Sequence, residues 1–315
     1  MADLSVRIPV GKRELCFKNP IMPAAAGLGD LIEYGKYYDL SLLGALMPNS
    51  IMMESGSVSR ARKLYGAEYG YITSLGSNSL GVMEFVKKIA VHLPWQESPL
   101  ILNLKAEDLE GLVKLAGTAA GCREVAGIEI NMNCPYSMAA TDPRQYWRDY
   151  GWLREMIRGV RGAAGEKLLI IKVPTTMVDV EDIAAIAREC GADGFTSFGA
   201  LTGCAIDVHS REFRCGNSGS GGYCGPGLKP LALWSCSRVH KAVDIPIFSA
   251  GGVTNADDVI EHIMAGAWMV QVGSANLTRP DFMPRLIESL DRRLDELGIR
   301  SLDEIRGCVK PHSAF

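Results

Sequence analysis

Residues 245–276, IPIFSAGGVTNADDVIEHIMAGAWMVQVGSAN, decide the fold class. An apolar run, PIFSAGG, ends in two glycines. NADDVIEHIMAGA follows, a helical pattern opened by Asn255, and it gives way to a second apolar run, MVQVGS. Strand, helix and strand in so short a span is the βα unit of a parallel sheet. The order recurs: RECGADGF repeats the helix, Gly-Ala, strand sequence of IMAGAWMV.

Working outward, eight runs read as strands: IMPAAA, GALMPNSIM, PLILNLKA, GIEINMNC, LLIIKVP, GFTSFGAL, PIFSAGG and MVQVGS. Helical patterns such as EDLEGLVKLAGTAAG and DVEDIAAIARECG lie between them. The last helix sets Phe282, Leu286, Leu290 and Leu294 four apart, behind Pro280 and Asp281. Eight strands each followed by a helix predict an α/β fold, a closed (β/α)8 TIM barrel. An open doubly wound sheet is the alternative, but no GxGxxG follows the first strand. The 315 residues suit one barrel domain, residues 1–315. SVRIPVGKRELCFKNP predicts an N-terminal hairpin around Gly11 that closes the barrel bottom. Polar insertions from Ser55 to Ser74 and from Thr202 to Gly227 emerge at the C-terminal face, where barrel enzymes keep their sites. The second contains CGNSGSGGYCGPG, which reads as a linker-like loop or a lid.

A net charge of −3 gives no reason to expect nucleic acid. No apolar run reaches the length of a membrane span, and the N-terminus does not read as a signal peptide. The nine cysteines show neither CxxC nor zinc spacing, so no metal is expected and they read as reduced thiols of a cytoplasmic protein.

Polar residues gather at the expected strand ends: Asn49 and Ser50, Asn103 and Lys105, then Asn131, Asn133 and Cys134. One asparagine can simply end a strand by bonding to backbone. Lys172 is different, because it sits inside the apolar run LLIIKVP and a buried lysine needs a partner; it should face a negative charge held in the barrel. Gly251, Gly252, Gly273 and Ser274 end strands seven and eight, where small residues let backbone N–H groups reach an anion. Each glycine alone could equally be a turn.

In FKNPIMPAAAG, SNSLGV, EINMNCP, IIKVP, GPGLKPLAL, IPIFSAGGVTNADDVIEHIMAGA and VQVGSAN the chain resembles the dihydroorotate dehydrogenase family, in order and along nearly its whole length. The cysteine marks the soluble class 1 branch, and the catalytic domain of dihydropyrimidine dehydrogenase is also similar. The resemblance implies a barrel holding FMN. Cys134 would be the catalytic acid or base, and Asn78 and Asn131 would hold the substrate. Ala25, Ala26, Gly27, Ser50, Asn103, Asn131, Lys172, Gly225, Gly251, Gly252, Gly273 and Ser274 would hold the cofactor. Oxidising a CH–CH bond beside a carbonyl moves a hydride to the flavin and a proton to a protein base, a role open to a thiolate.

Three positions leave the family pattern, all on the substrate side. Tyr136 stands for an asparagine, Asn49 for a lysine, and Gly199 with Ala200 for an Asn-Thr or Asn-Ser pair. They predict a substrate other than dihydroorotate, a small cyclic amide or related carbonyl compound. The alternatives are a genuine dihydroorotate dehydrogenase or a catalytically silent flavin scaffold. The insertions offer Arg60, Arg62, Lys63, Arg211 and Arg214 in place of the lost cation, although basic loop residues are usually solvated surface, and His209 is the one histidine near the expected active face. A homodimer, a small-molecule substrate and an electron-transfer partner subunit are the expected partners.

Overall fold

A computed structural model describes residues 2–25, 27–56, 64–74, 80–132, 149–172, 179–215 and 219–310. The N-terminal hairpin pairs β1 (Val6–Val10) with β2 (Arg13–Phe17) around Gly11, whose φ of +59° suits the first position of a two-residue turn. Its Arg13 donates to the Glu166 carbonyl, just before the strand Leu168–Lys172 begins. That places the hairpin at the N-terminal end of the barrel strands, the bottom.

Among the described residues the barrel sheet contains seven regular strands, all parallel: β3 (Ile21–Pro23), β6 (Leu100–Leu104), β7 (Val125–Asn131), β8 (Leu168–Lys172), β9 (Gly194–Thr196), β14 (Ile247–Ala250) and β15 (Ala267–Val272). Every residue of β6 and β8 is buried, because both faces of such a sheet are covered. The expected second strand, GALMPNSIM, is an eighth stave without a regular ladder. Gly44 N–H donates to the Ile21 carbonyl on one side, and on the other side Leu46 and Ile51 bridge in parallel to Leu100 and Leu104. The segment thus joins β3 to β6 and closes the ring. Pro48, in its middle, has no N–H to give a ladder.

The expected sixth strand is cut short. Its start, β9, lies in the barrel, whereas Leu201–Gly203 (β10) joins a separate antiparallel sheet. That sheet corrects the linker reading of the second insertion. It runs β10, β13 (Gly221–Cys224), β5 (Gly70–Thr73), β4 (Leu64–Ala67), so the two insertions pair with each other above the strand ends. The glycines serve close backbone approach: a Cβ on Gly70 would lie 2.2 Å from the Cys224 carbonyl oxygen, and one on Gly225 2.4 Å from the Gly70 Cα. Ile206–Asp207 (β11) and Glu212–Phe213 (β12) form a small hairpin within the same insertion.

Among the described residues the helices are α1 (Val82–Lys88), α2 (Leu109–Ala120), α3 (Tyr150–Ala164), α4 (Val180–Glu189), α5 (Lys229–Ala242), α6 (Ala256–Met264) and α7 (Phe282–Glu296), and they form as their caps and spacing dictate. In α6 (Ala256–Met264) Asn255 and Asp258 complete a capping box. In α7 (Phe282–Glu296) Met283, Leu286, Leu290 and Leu294 form the buried stripe. Among the described residues no helix is long and apolar enough to cross a membrane.

Candidate active site

Alternation along five barrel strands brings their polar side chains to one level inside the barrel. Glu129 of β7 is fully buried and is the hub. Its Oε1 accepts from Asn103 Nδ2 at 2.6 Å and Lys172 Nζ at 3.4 Å. Its Oε2 accepts from Thr196 Oγ1 at 2.5 Å and Gln271 Nε2 at 2.6 Å. Lys172 Nζ also donates to Gln271 Oε1 at 2.9 Å. The layer continues toward the second stave: Ser50 Oγ and Asn131 Nδ2 both donate to Asn103 Oδ1, and Asn131 Nδ2 lies 2.9 Å from Ser50 Oγ. A carboxylate with four donors and an ammonium with two acceptors meet the demand that buried charges be paired. The negative charge expected opposite Lys172 is thus in part the protein's own.

Lys172 and Gln271 form the polar floor of a cleft that opens at the C-terminal ends of the barrel strands. Its walls are mostly apolar, with Ala25, Phe198, Leu228 and Leu277 among them. Gly225, Gly251, Gly252, Gly273 and Ser274 form the rim at the ends of β14 and β15 and the start of the helix α5 (Lys229–Ala242). Gly252 has a φ of +78°, and a Cβ there would lie 2.5 Å from Lys229 N, so only glycine fits. No side chain stands between this rim and the cleft at these glycines. The arrangement fits a planar cofactor with an anionic tail: apolar walls and a hydrogen-bonding floor of Lys172 and Gln271 for the ring, bare backbone for the anion. Among the described residues no cluster of His, Cys, Asp and Glu could hold a metal.

The rim is braced from behind. Lys229 Nζ meets Asp258 Oδ1 at 2.7 Å and Glu261 Oε2 at 2.9 Å, tying the start of α5 to α6. Burial pushes the Asp258 carboxyl up, but hydrogen bonds from Lys229 and Thr254 outweigh it and hold it below the usual range. His262, fully buried, has Nδ1 2.7 Å from Ser249 Oγ and Nε2 3.1 Å from the Gly251 carbonyl. The carbonyl can only accept, so Nε2 carries the proton and Nδ1 accepts from the serine. Burial pushes this imidazole down to about 4, so it is neutral at pH 7.

Of the site residues expected from the sequence, Ser50, Asn103, Asn131 and Lys172 share the polar layer, and Ala25, Gly225, Gly251, Gly252, Gly273, Ser274 and Gly199 line the cleft. Gly27 does not line it; a Cβ there would meet the Ala24 and Val272 carbonyls, so packing explains that glycine. Asn49 is half-buried, and its Oδ1 is shielded from solvent without a hydrogen-bond partner among the described residues. Ala26, Asn78, Asn133, Cys134 and Tyr136 lie outside the described residues, as do Arg60, Arg62 and Lys63. Arg214 pairs with Asp207 and stacks over Tyr65, and neither it, Arg211 nor His209 lines the cleft. A second thiol, Cys224, does line it; burial pushes that thiol up to about 11, so it stays protonated at neutral pH.

Sequence reasoning missed Glu129, Thr196, Gln271 and His262. Glu129 in GIEINMNC and Gln271 in MVQVGS carried the same signal as Lys172, a polar residue inside an apolar strand.

The family model for dihydroorotate dehydrogenase matches residues 10–294. The catalytic subunit of dihydroorotate dehydrogenase B (NAD(+)) from Solidesulfovibrio magneticus is 33% identical over 308 residues, covering 98% of both chains. Those from Carboxydothermus hydrogenoformans and Listeria monocytogenes are each 33% identical, over 97% of this chain and 98% of theirs. Two DHODH structures from Eimeria tenella, one with ferulenol and one ligand-free, share the fold with TM-scores of 0.77. They are 18% and 20% identical and cover 96% and 97% of this chain and 88% and 91% of theirs. With a family match over most of its length and relatives aligned end to end, the chain belongs to the dihydroorotate dehydrogenase family and is an oxidoreductase acting on CH–CH groups.

Proposed function

We propose that the chain is an FMN-dependent dihydroorotate dehydrogenase, the catalytic subunit of an assembly that passes electrons to a partner. The observation that carries the cofactor is the cleft with Lys172 on its floor and bare glycine backbone on its rim. The substrate and partner follow the printed name of the relatives, which are catalytic subunits over nearly the full length of both chains. This shifts the weight from the altered substrate suggested by the sequence to dihydroorotate itself.

FMN, when bound, takes up the hydride. The protein supplies the rest. Cys134, three residues past the end of β7, accepts the proton from the neighbouring carbon and returns it in the reverse direction. Asn131 and Asn78 orient the ring by amide hydrogen bonds. Lys172 presents its ammonium to the negative charge that arrives on reduction. The homodimer and the cytoplasmic setting belong to the same proposal.

A second reading keeps the FMN and changes the ring. Asn49 stands where the family carries a lysine, and a neutral amide brings no positive charge to meet orotate's carboxylate. Gly199 and Ala200 both line the cleft and bring no side-chain hydrogen bond. That pocket suits a less polar ring. The two readings separate in a steady-state assay with dihydroorotate and with uncharged cyclic amides, using NAD, fumarate, a quinone and a dye as acceptors. The first requires turnover of dihydroorotate above that of the uncharged rings; absence of it, with turnover of another ring, selects the second.

A further inference from the structure

We propose that Glu129 is a positioning residue that cancels the Lys172 charge beneath the cleft and sets the direction of every hydrogen bond in the polar layer. The inference rests on the FMN reading above. Lys172 lines the cleft; Glu129 lies behind it, fully buried.

A carboxylate only accepts. Each of its four neighbours must therefore donate. With Nε2 committed to Glu129, Gln271 turns Oε1 to the Lys172 ammonium. With Nδ2 committed to Glu129, Asn103 turns Oδ1 to Ser50 and Asn131, and Asn131 must then present Nδ2 inward. The orientation of an expected substrate-binding amide is thus dictated by a carboxylate two side chains away.

The second consequence is charge. Glu129 and Lys172 carry opposite unit charges 3.4 Å apart, so the pair presents a small net field to the cleft. A ring that gains negative charge on reduction meets a largely compensated lysine, and its potential lies below what an uncompensated lysine would give. Glu129→Gln removes the compensation and inserts a donor among donors. Lys172→Gln leaves the carboxylate alone. The double variant removes both charges.

The test is the FMN content and then the midpoint potential of the bound flavin, by spectroelectrochemistry, in the wild type, both single variants and the double variant. Glu129→Gln should raise the potential by about 30 mV or more, a tenfold change in the two-electron equilibrium. Lys172→Gln should lower it, and the double variant should lie between the singles. Equal potentials in Glu129→Gln and the wild type would overturn the inference. Breaking a buried pair can prevent folding; should Glu129→Gln not fold, Lys172→Gln and the double variant still differ only in the carboxylate. The double must then lie higher by a similar margin, and equality overturns the inference. Failure of the underlying reading is separately visible: wild-type protein that neither carries nor takes up FMN would overturn both.

Discussion

His262 makes the stability of the glycine rim depend on pH. The ring is fully buried between Ser249 and the Gly251 carbonyl, and burial lowers it from an ordinary 6.5 to about 4, against the opposing pull of the Gly251 carbonyl and Asp258. Because the folded value lies below the unfolded one, the unfolded chain takes the proton first. The stability is fully present above about pH 6.5 and is lost as pH falls toward 4. The whole shift is worth about 3 kcal/mol, at about 1.4 kcal/mol per unit, and about 2 kcal/mol of it is gone by pH 5. His262→Gln stays neutral at every pH and keeps an amide that can donate to Gly251. It should be less stable than the wild type at pH 8 by about 1–2 kcal/mol, for imperfect hydrogen bonds. Its loss of stability between pH 8 and 5 should be smaller than the wild type's by about 2 kcal/mol. Urea unfolding at several pH values, read by far-UV circular dichroism, measures both. Parallel pH profiles for the two proteins would refute the reasoning, since every other titrating group is common to them.

Two further outcomes follow from the site. Cys134→Ala should keep fold and flavin while cutting turnover about 10²–10⁴-fold, the usual size of a general acid–base contribution, in steady-state assays that also show wild-type oxidation rising with pH. Asp258→Ala removes one of the two Lys229 ion pairs, leaving Glu261, and half of the capping box, and should cost about 1–3 kcal/mol in urea unfolding and weaken FMN retention, because the rim loses part of its brace.

Much of the barrel was legible because a buried parallel strand needs an apolar run and a helix needs its caps. PIFSAGG, MVQVGS and Asn255 declared themselves in this way. GALMPNSIM was legible as a stave but not as an irregular one, since Pro48 spoils the ladder without spoiling the path. The glycine-rich insertion misled because glycine serves close backbone approach as well as flexibility, and only the pairing of Cys224 with Tyr71 across the Gly70–Gly225 contact distinguishes them. In the site, Lys172 stood out as a charge in an apolar strand. Glu129 stood out by the same rule and was overlooked beside the more conspicuous asparagines. His262 was hidden in a helical pattern, because its function depends on a carbonyl 11 residues away that only the fold brings near.

An FMN-dependent enzyme that oxidises dihydroorotate must complete one half-reaction on its own. The oxidised holoprotein is mixed anaerobically with dihydroorotate and followed at the flavin absorbance band, with no acceptor and no partner subunit present. The band should bleach, with one equivalent of orotate formed per flavin and most of the rate lost in Cys134→Ala. A flavin that dithionite bleaches but millimolar dihydroorotate leaves unchanged would contradict this function.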